Sequence, residues 1–362
     1  MRGLGSLRPR VDGALDAFMA ARIAEAGGAA APPTDPREVL STELSLVTAI
    51  GDLLSRGGKR LRAALCVLGW AGAGGAVDEA IVRAGASLEL LHACALIHDD
   101  VMDRSATRRG GVSVHQGFAA RHESAGWRGD AAQFGVGAAV VAGDLCMVWA
   151  DELLRESALP SAALERGRAL YDAMRAETIR GQYLDLAAQA RGRFSIDEAL
   201  AVARAKTAAC TTTGPLCFGG ALAGADDGLM AAYEAYGVAL GVAFQLRDDL
   251  LGAFADPAAT GKPSGDDLRD GKCTVLLAET YQRLDSRGRT RLAELIGEGS
   301  DDAVDRLRAL VESVGARAAV EERIAGEGKR AVEALSARAM EQRLDPGVRE
   351  VLVSLVATVT EG

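Results

Sequence analysis

Hydrophobic side chains recur along most of the chain at steps of three and four residues, the spacing of an amphipathic helix. Strand-like alternation is nearly absent. The pattern predicts successive helices over residues 41–56, 60–73, 77–103, 131–156, 160–189, 196–224, 228–254, 273–296, 302–314 and 316–342. It therefore predicts an all-α fold class, a single-domain helical bundle in which side chains on facing helices build the ligand site.

Glycine and proline interrupt this pattern near its start. Residues 1 to about 30 are predicted to hold a short helix, and the segment GGAAAPPTDPRE that follows is typical of a linker. We interpret residues 1–40 as an N-terminal extension and linker, and residues 41–362 as one all-helical domain. We expect no secretory signal, because the first residues contain no apolar run of the length that such signals need.

Composition and charge narrow the class of function. The net charge of −9 argues against a nucleic-acid-binding protein, whose binding face is basic. The six cysteines are scattered and form no C-x-x-C pair, which predicts reduced thiols and a cytoplasmic protein. The sequence has no run of about 18 consecutive apolar residues, so we expect no membrane span.

An acidic cluster lies at the end of the predicted helix 77–103, in the stretch ALIHDDVMDRSATRRGG. Asp99 and Asp103 are four residues apart and share one helix face, and Asp100 flanks them. Oxygen ligands at this spacing suit a hard divalent cation such as Mg²⁺, which takes one or two protein carboxylates and completes its shell with water and phosphate. The alternative is a solvated acidic helix end.

Two arginines, Arg108 and Arg109, follow the acidic cluster and precede a glycine pair. Guanidinium groups match phosphate oxygens in geometry and charge. Carboxylates that hold a metal beside such arginines would form a polyphosphate site. Direct pairing of an arginine with one of the aspartates is the alternative.

A second acidic pair, Asp248 and Asp249, lies in FQLRDDLLGAFADPAATGKPSGDDLRDGK, one turn after Gln245. A polar loop follows, and its lysines are Lys262 and Lys272. If the two acidic clusters face each other, they bracket one polyphosphate, and their mutual repulsion requires a metal. Asp266 and Asp267 are predicted to be loop residues without a metal contact, and the alternative for Asp267 is a cap at the start of a helix.

The stretch SRGGKRLRAAL indicates a second phosphate site. Its glycines let the backbone approach an anion, and Lys59 and Arg62 are predicted to share one face at the start of a helix. His92 is a further candidate for this site. The alternative is a solvated cationic helix start.

A third basic feature is Lys206, which with Thr207 lies in an otherwise apolar predicted helix. A lysine in such surroundings needs a counter-charge, which a phosphate or a carboxylate would supply.

Together these motifs resemble those of the trans-isoprenyl diphosphate synthases, the polyprenyl synthetase family. The resemblance spans about residues 50–280 and rests on the order of GGKRLR, LLHACALIHDDVMDRSATRRGG, AGD, KT, FQLRDDLLG and GKPSGDDLRDGK. It implies an isoprenoid synthase fold with a central active-site cavity, a homodimer, and about three Mg²⁺ ions per active site. The implied reaction is condensation of an allylic diphosphate with isopentenyl diphosphate.

The resemblance also implies a role for individual residues. Asp99, Asp100 and Asp103 would hold two Mg²⁺ ions on the allylic diphosphate, and Asp248 with Asp249 would hold the third. The basic residues implied for the allylic diphosphate are Arg108, Lys206 and Lys262, with Lys272 as a further substrate contact. Those implied for isopentenyl diphosphate are Lys59, Arg62, His92 and Arg109. Thr207 and Gln245 would lie beside the developing carbocation, and the predicted catalytic residues are Lys206, Thr207, Gln245, Asp99 and Asp103.

The sequence departs from the family pattern at Gly252, where many members carry the third acid of the second motif. Members with short products carry bulky residues about one turn before the first motif. Here these positions hold Leu91, Cys94 and Ala95, and the two small residues predict a product longer than farnesyl diphosphate. The product expected is geranylgeranyl diphosphate, and a still longer product is the alternative. The alternative functions are a class I terpene cyclase and a non-catalytic subunit of a heteromeric synthase.

Overall fold

The computed structural model describes residues 4–28, 36–254, 265–336, 338–340 and 342–361. Most of these residues lie in helices, so the predicted all-α fold class is confirmed. The chain divides into two compact units. The N-terminal unit comprises Arg2–Val67 and Val77–Pro160, and the C-terminal unit comprises Leu68–Ala76 and Ser161–Gly362. The interpretation of residues 41–362 as one domain stays a prediction.

The N-terminal unit begins with a helix that is longer than the sequence pattern predicts. Its helices are α1 (Arg8–Gly28), α2 (Pro36–Ser55), the start of α3 (Leu61–Gly72), α4 (Glu79–Met102), α5 (Val114–Ser124) and α6 (Ala131–Arg155). A short antiparallel hairpin joins α4 to α5 and consists of β1 (Thr107–Arg108) and β2 (Gly111–Val112). The two-residue turn between these strands needs positive φ angles, which Arg109 and Gly110 adopt at 51° and 71°.

Aspartates cap the starts of α4 and α6. Asp78 caps α4 by accepting hydrogen bonds from the backbone N–H groups of Ala80 and Ile81, at 3.0 and 3.2 Å. Asp130 caps α6 in the same way through Gln133, at 2.6 Å. Gly85 of α4 allows α3 to approach, because a Cβ there would lie 2.9 Å from the carbonyl oxygen of Ala63.

The C-terminal unit contains α7 (Ser161–Arg191), α8 (Ile196–Val202), a π-helix (Ala203–Thr213), α9 (Gly214–Ala223) and α10 (Asp227–Phe254). Its further helices are Asp266–Arg269, Val275–Arg283, Ser286–Glu298, Asp301–Ser313, Ala316–Ser336 and Pro346–Glu361. Each unit also contains one short described 3₁₀ helix, Leu4–Ser6 in the N-terminal unit and Arg338–Met340 in the C-terminal unit. Tyr236 of α10 is fully buried, and its hydroxyl donates to the carbonyl oxygen of Leu352 at 2.8 Å. Such buried polar tips fix the register of helices that are otherwise apolar.

Several predicted boundaries are wrong. The predicted helix 273–296 is two helices, because Asp285 accepts a hydrogen bond from Gly288 at 2.7 Å and starts a new one. The predicted helix 196–224 contains the π-helix, and the helix predicted to end at residue 342 ends at Ser336. The helices Val114–Ser124 and Pro346–Glu361 were not predicted.

Within the described residues, α4, α6 and α10 are long and apolar enough to cross a membrane, judged by length and composition alone. Of their most apolar windows, 67% in α4 and 61% in α10 are buried in the protein, whereas only 28% in α6 is buried. The absence of a membrane span stays a prediction.

Candidate active site

In the N-terminal unit, the first acidic cluster lies at the C-terminal end of α4. The helix ends at Met102, so Asp103 is the cap residue rather than a helical one, and its backbone N–H donates to the carbonyl oxygen of Asp99 at 2.8 Å. Asp99 and Asp103 are half-buried, and Asp100 is fully buried. The C-terminal end of the helix dipole adds to the negative charge of these carboxylates and favours a bound cation.

The hairpin returns Arg108 to this helix end. The Nε atom of Arg108 donates to Oδ1 of Asp100 at 2.7 Å, Nη2 donates to the same oxygen, and Nη2 lies 3.7 Å from Oδ2 of Asp99. Burial works against the charge of Arg108, but the hydrogen bond and charge of Asp100, with the charges of Asp99 and Asp103, raise the pKa of Arg108. The alternative of direct arginine–aspartate pairing is therefore correct for Arg108 and Asp100. The roles predicted for these two residues toward metal and diphosphate stay predictions.

The basic cluster of the same unit gathers around the start of α3. Lys59 is exposed and lies in the loop before the helix, so the prediction that it shares a helix face with Arg62 is wrong. Arg62 is the second residue of α3. The Nη1 atom of Arg109 donates to the carbonyl oxygen of Leu53 at 3.3 Å, and Gly58 allows this approach, since a Cβ at Gly58 would lie 3.2 Å from Nη2 of Arg109.

The members of this cluster repel one another. Burial lowers the pKa of Arg109, and the charges of Arg60 and Arg62 lower it further, while Glu89 opposes them. Burial, and then the charges of Arg62 and Arg109, lower the pKa of His92 well below its usual value. His92 is therefore affected by the charge of the basic cluster, and its predicted place in this site stays a prediction. A cluster of this kind provides the charge and the donors for a polyanion.

In the C-terminal unit, the π-helix carries Lys206 and Thr207. The Nζ atom of Lys206 contacts Oδ2 of the buried Asp185 at 2.8 Å. Asp185 lies one turn after Gly181 on α7, and a Cβ at Gly181 would lie 2.3 Å from the backbone nitrogen of Lys206. Neither α7 residue was predicted as part of the site, although their spacing of four, in GQYLD, places them on one face. π-Helical turns are rare and often occur at functional sites.

A hydrogen-bonded chain connects the π-helix to α10. The hydroxyl of Thr207 donates to Oε1 of Gln245 at 2.5 Å, and Nε2 of Gln245 donates to Oδ1 of Asp249 at 2.7 Å. Burial raises the pKa of Asp249 to about 8, the negative charges of Asp267 and Asp248 add to this effect, and the hydrogen bond from Gln245 opposes it. A bound cation would relieve this repulsion and favour the ionised form of Asp249.

The acidic group of the C-terminal unit also includes Asp267, for which no metal contact was predicted from the sequence. Asp267 lies in the short helix Asp266–Arg269, not in a loop. Its Oδ2 atom would lie 3.2 Å from a Cβ at Gly252, the position where the family pattern has its third acid, and its Oδ1 atom lies 3.8 Å from Nζ of Lys272. Asp267 thus brings a carboxylate to the place that Gly252 leaves without one. Lys262 lies outside the described residues.

The residues predicted to control product length lie on α4. Cys94 is buried, and Leu91 and Ala95 are half-buried. The Sγ atom of Cys94 lies 3.8 Å from Nδ1 of His98, whose Nε2 atom contacts the carbonyl oxygen of Val140 at 3.1 Å. Of these three α4 residues, Cys94 and Ala95 thus have small side chains.

The fit of these residues to a divalent metal follows from the donors present. Among the described residues, no group of three or more His, Cys, Asp or Glu side chains is close enough to hold a metal ion. The carboxylates of the α4 end and of α10 are hard oxygen donors of the kind that suits Mg²⁺, which keeps several water or phosphate ligands.

Comparisons with known proteins agree with this chemistry. The sequence pattern of the polyprenyl synthetase family matches residues 44–314. The chain is 38% identical over 267 residues to a (2E,6E)-farnesyl diphosphate synthase of Mycobacterium bovis, covering 72% of this chain and 68% of that protein. It is 37% identical over 263 residues to a geranylgeranyl diphosphate synthase of Mycobacterium tuberculosis, covering 71% and 69%.

A solved structure is also similar. The crystal structure of geranylgeranyl pyrophosphate synthase from Corynebacterium glutamicum, complexed with isoprenyl diphosphate and magnesium, matches 99% of both chains with a TM-score of 0.89 and 36% identity. The family match and these relatives together assign the activity class, that of a trans-prenyl diphosphate synthase, a prenyltransferase. The chain belongs to the polyprenyl synthetase family.

Proposed function

We propose that this chain is a magnesium-dependent geranylgeranyl diphosphate synthase, which condenses an allylic diphosphate with isopentenyl diphosphate head to tail. The observation that carries the proposal is the separation of charge within the N-terminal unit. Carboxylates at the end of α4 and a basic cluster at the start of α3 lie on either side of the hairpin arginines Arg108 and Arg109. One side suits a metal–diphosphate complex, and the other suits a diphosphate without metal.

The basic cluster would bind isopentenyl diphosphate through Lys59, Arg62, His92 and Arg109. Burial, and then the charges of neighbouring arginines, lower the pKa of Arg109 and His92. A diphosphate between these residues would offset the repulsion among their charges. The lowered pKa of His92 favours a neutral ring, which offers a hydrogen bond rather than another charge.

Asp99 and Asp103 would hold magnesium on the allylic diphosphate, and Asp248 would hold a further ion, with Asp249 and Asp267 beside it. About three ions per site fit the family resemblance. When bound, such ions stabilise the negative charge that develops on the leaving diphosphate.

The chain's own residues support the carbon chemistry. Arg108 and Lys206 would donate to the departing diphosphate as the allylic carbon–oxygen bond breaks and its electron pair stays on oxygen. The oxygens of Thr207 and Gln245 would face the allylic carbocation. The alkene of isopentenyl diphosphate then forms the new carbon–carbon bond, and the resulting tertiary cation loses a proton to the released diphosphate.

We further propose that the product is longer than farnesyl diphosphate, because Cys94 and Ala95 leave room beside α4 for a longer chain. The curated relatives include both farnesyl and geranylgeranyl diphosphate synthases, so family membership leaves this choice open.

A homodimer is part of the same proposal. Four exposed apolar residues of α6 support it: Phe134, Val140, Val141 and Val148, of which Val148 is 61% exposed. Phe134, Val141 and Val148 recur at seven-residue spacing, which gives a stripe that a second helix can cover. A cytoplasmic location is also proposed, supported by six free cysteine thiols, which the reducing cytoplasm maintains.

One assay tests the activity and the product. The purified protein is incubated with Mg²⁺, isopentenyl diphosphate and each allylic starter, and the alcohols are sized after phosphatase treatment. We expect geranylgeraniol as the main alcohol, and a shorter product when Cys94→Phe and Ala95→Phe are combined. Farnesol from the unaltered protein contradicts the proposed length, whereas a condensation rate that stays within about tenfold in the Asp99→Ala, Asp103→Ala variant contradicts the metal site.

A further inference from the structure

The loop Gly57–Arg60, which precedes α3, depends on a residue from outside the segment that matches the family. Its backbone is unusual, with φ angles of 82°, 151° and 48° at Gly57, Gly58 and Arg60. Arg60 adopts the left-handed conformation without being glycine, a strained arrangement that persists only where the surroundings fix it. What holds Arg60 therefore also holds Lys59 and Arg62, its neighbours in the basic cluster.

The side chain of Arg60 is almost fully buried, whereas that of Lys59 is exposed. Its Nε atom donates to Oδ1 of Asp12 at 2.7 Å, and its Nη2 atom donates to the carbonyl oxygen of Leu54 at 2.7 Å. Asp12 belongs to α1, which precedes the family match at residues 44–314. The helix itself is anchored by an apolar face whose members include Val11 and Leu15, both buried.

A second carboxylate, that of Glu89 on α4, completes the arrangement. Oε1 of Glu89 accepts a hydrogen bond from the backbone N–H of Ala63 at 3.3 Å, and its Oε2 atom lies 3.7 Å from Nη1 of Arg60. The carbonyl oxygen of Arg60 accepts the first hydrogen bond of α3, from Ala64 at 3.0 Å, so Arg60 occupies the cap position. An arginine side chain cannot accept a hydrogen bond, and Glu89 therefore caps the helix in its place.

We propose that Asp12 is a positioning residue for the isopentenyl diphosphate site, and that α1 is therefore part of the substrate-binding machinery. Asp12 fixes the guanidinium of Arg60, Arg60 fixes the strained loop, and the loop presents Lys59 and Arg62 to the diphosphate. This inference rests on the proposed function, which assigns isopentenyl diphosphate to the basic cluster. On the allylic side the side chain of Arg108 is held by a different carboxylate, that of Asp100.

Steady-state kinetics of the full chain, with each substrate varied in turn, test the inference. We expect Asp12→Ala to raise KM for isopentenyl diphosphate about tenfold, with kcat and the KM for the allylic diphosphate within twofold. Asp12→Asn keeps an oxygen that accepts from Nε but removes the charge, so it should have a smaller effect on the same KM. Asp16→Ala makes the same change at an exposed position one turn further along α1 and should leave all three constants unchanged.

The outcomes separate the inference from the function on which it rests. An unaltered protein that does not condense the two substrates contradicts the proposed function. An active protein whose KM for isopentenyl diphosphate is the same in Asp12→Ala, Asp12→Asn and Asp16→Ala overturns the inference alone. Equal changes of all three constants in Asp12→Ala and Asp12→Asn, with a lower melting temperature, mean that Asp12 has only a structural role and also overturn it.

Discussion

The contact between Gly181 of α7 and the π-helix offers a sharp test of how Lys206 is positioned. A Cβ at Gly181 would lie 2.3 Å from the backbone nitrogen of Lys206, 2.6 Å from its Cα, and 2.5 Å from the carbonyl carbon of Ala205. All three atoms belong to backbone, so no side-chain rotation relieves the clash. We therefore predict that Gly181→Ala displaces the π-helix at Lys206.

The size of the effect follows from these distances. The backbone has to move by about 1 Å to reach ordinary van der Waals separation. Overpacking of this kind costs about 1–3 kcal/mol, and the better helix propensity of alanine returns about 1 kcal/mol, which leaves a net destabilisation of about 1 kcal/mol. A displacement of about 1 Å in a catalytic group lowers kcat by about 100-fold, or about 2.7 kcal/mol in activation free energy.

Two measurements on Gly181→Ala check this reasoning, the midpoint of urea unfolding and the initial rate of condensation at saturating substrates. The matched control is Gly326→Ala in the helix Ala316–Ser336, where an added Cβ meets nothing within 4 Å. The control should gain about 0.5–1 kcal/mol of stability and keep its kcat. If Gly181→Ala is stabilised as much as the control, with kcat within twofold of the unaltered protein, the close contact does not position Lys206.

Three further predictions address the metal, the assembly and the C-terminal helix. Dialysis against EDTA should abolish condensation, and added Mg²⁺ should restore the initial rate; turnover that persists in EDTA contradicts the metal dependence. Val141→Asp should convert the proposed dimer to a monomer in light scattering, because two charges would meet in an apolar stripe. Ala132→Asp, at an exposed position outside that stripe, should leave the mass unchanged. Tyr236→Phe should lower the free energy of unfolding by about 1 kcal/mol, since the hydrogen bond to Leu352 is lost without a change in shape, and an unchanged unfolding midpoint would contradict this.

The helices that the sequence predicts best are those with a long and continuous apolar pattern. The predicted segments 77–103 and 228–254 agree within two residues with α4 and α10. The helix Pro346–Glu361 was missed although Val348, Leu352 and Val359 mark an apolar face and its proline stands at the first position, so the signal was available. The π-helix could not be predicted in this way, because the residue types in a π-helical turn are also those of an α-helical turn.

For the candidate site, single residues can be predicted from the sequence, but the pairs that they form cannot. The sequence predicts aspartates, arginines and lysines for the site because each motif is local. It did not identify their partners, since Lys206 and Asp185 are 21 positions apart and Arg60 and Asp12 are 48 apart.

For Lys206 the partner changes the chemistry that is expected of it. A lysine in an apolar helix needs a counter-charge, and the sequence left open whether a phosphate or a carboxylate supplies it. In the structure the counter-charge is the buried carboxylate of Asp185, which holds the ammonium group of Lys206 in one position. A diphosphate at Lys206 therefore meets an ammonium group whose charge is already partly balanced, and its gain lies in a donor of fixed direction. The orientation of Lys206, rather than its net charge, is then the property that Gly181 and Asp185 maintain.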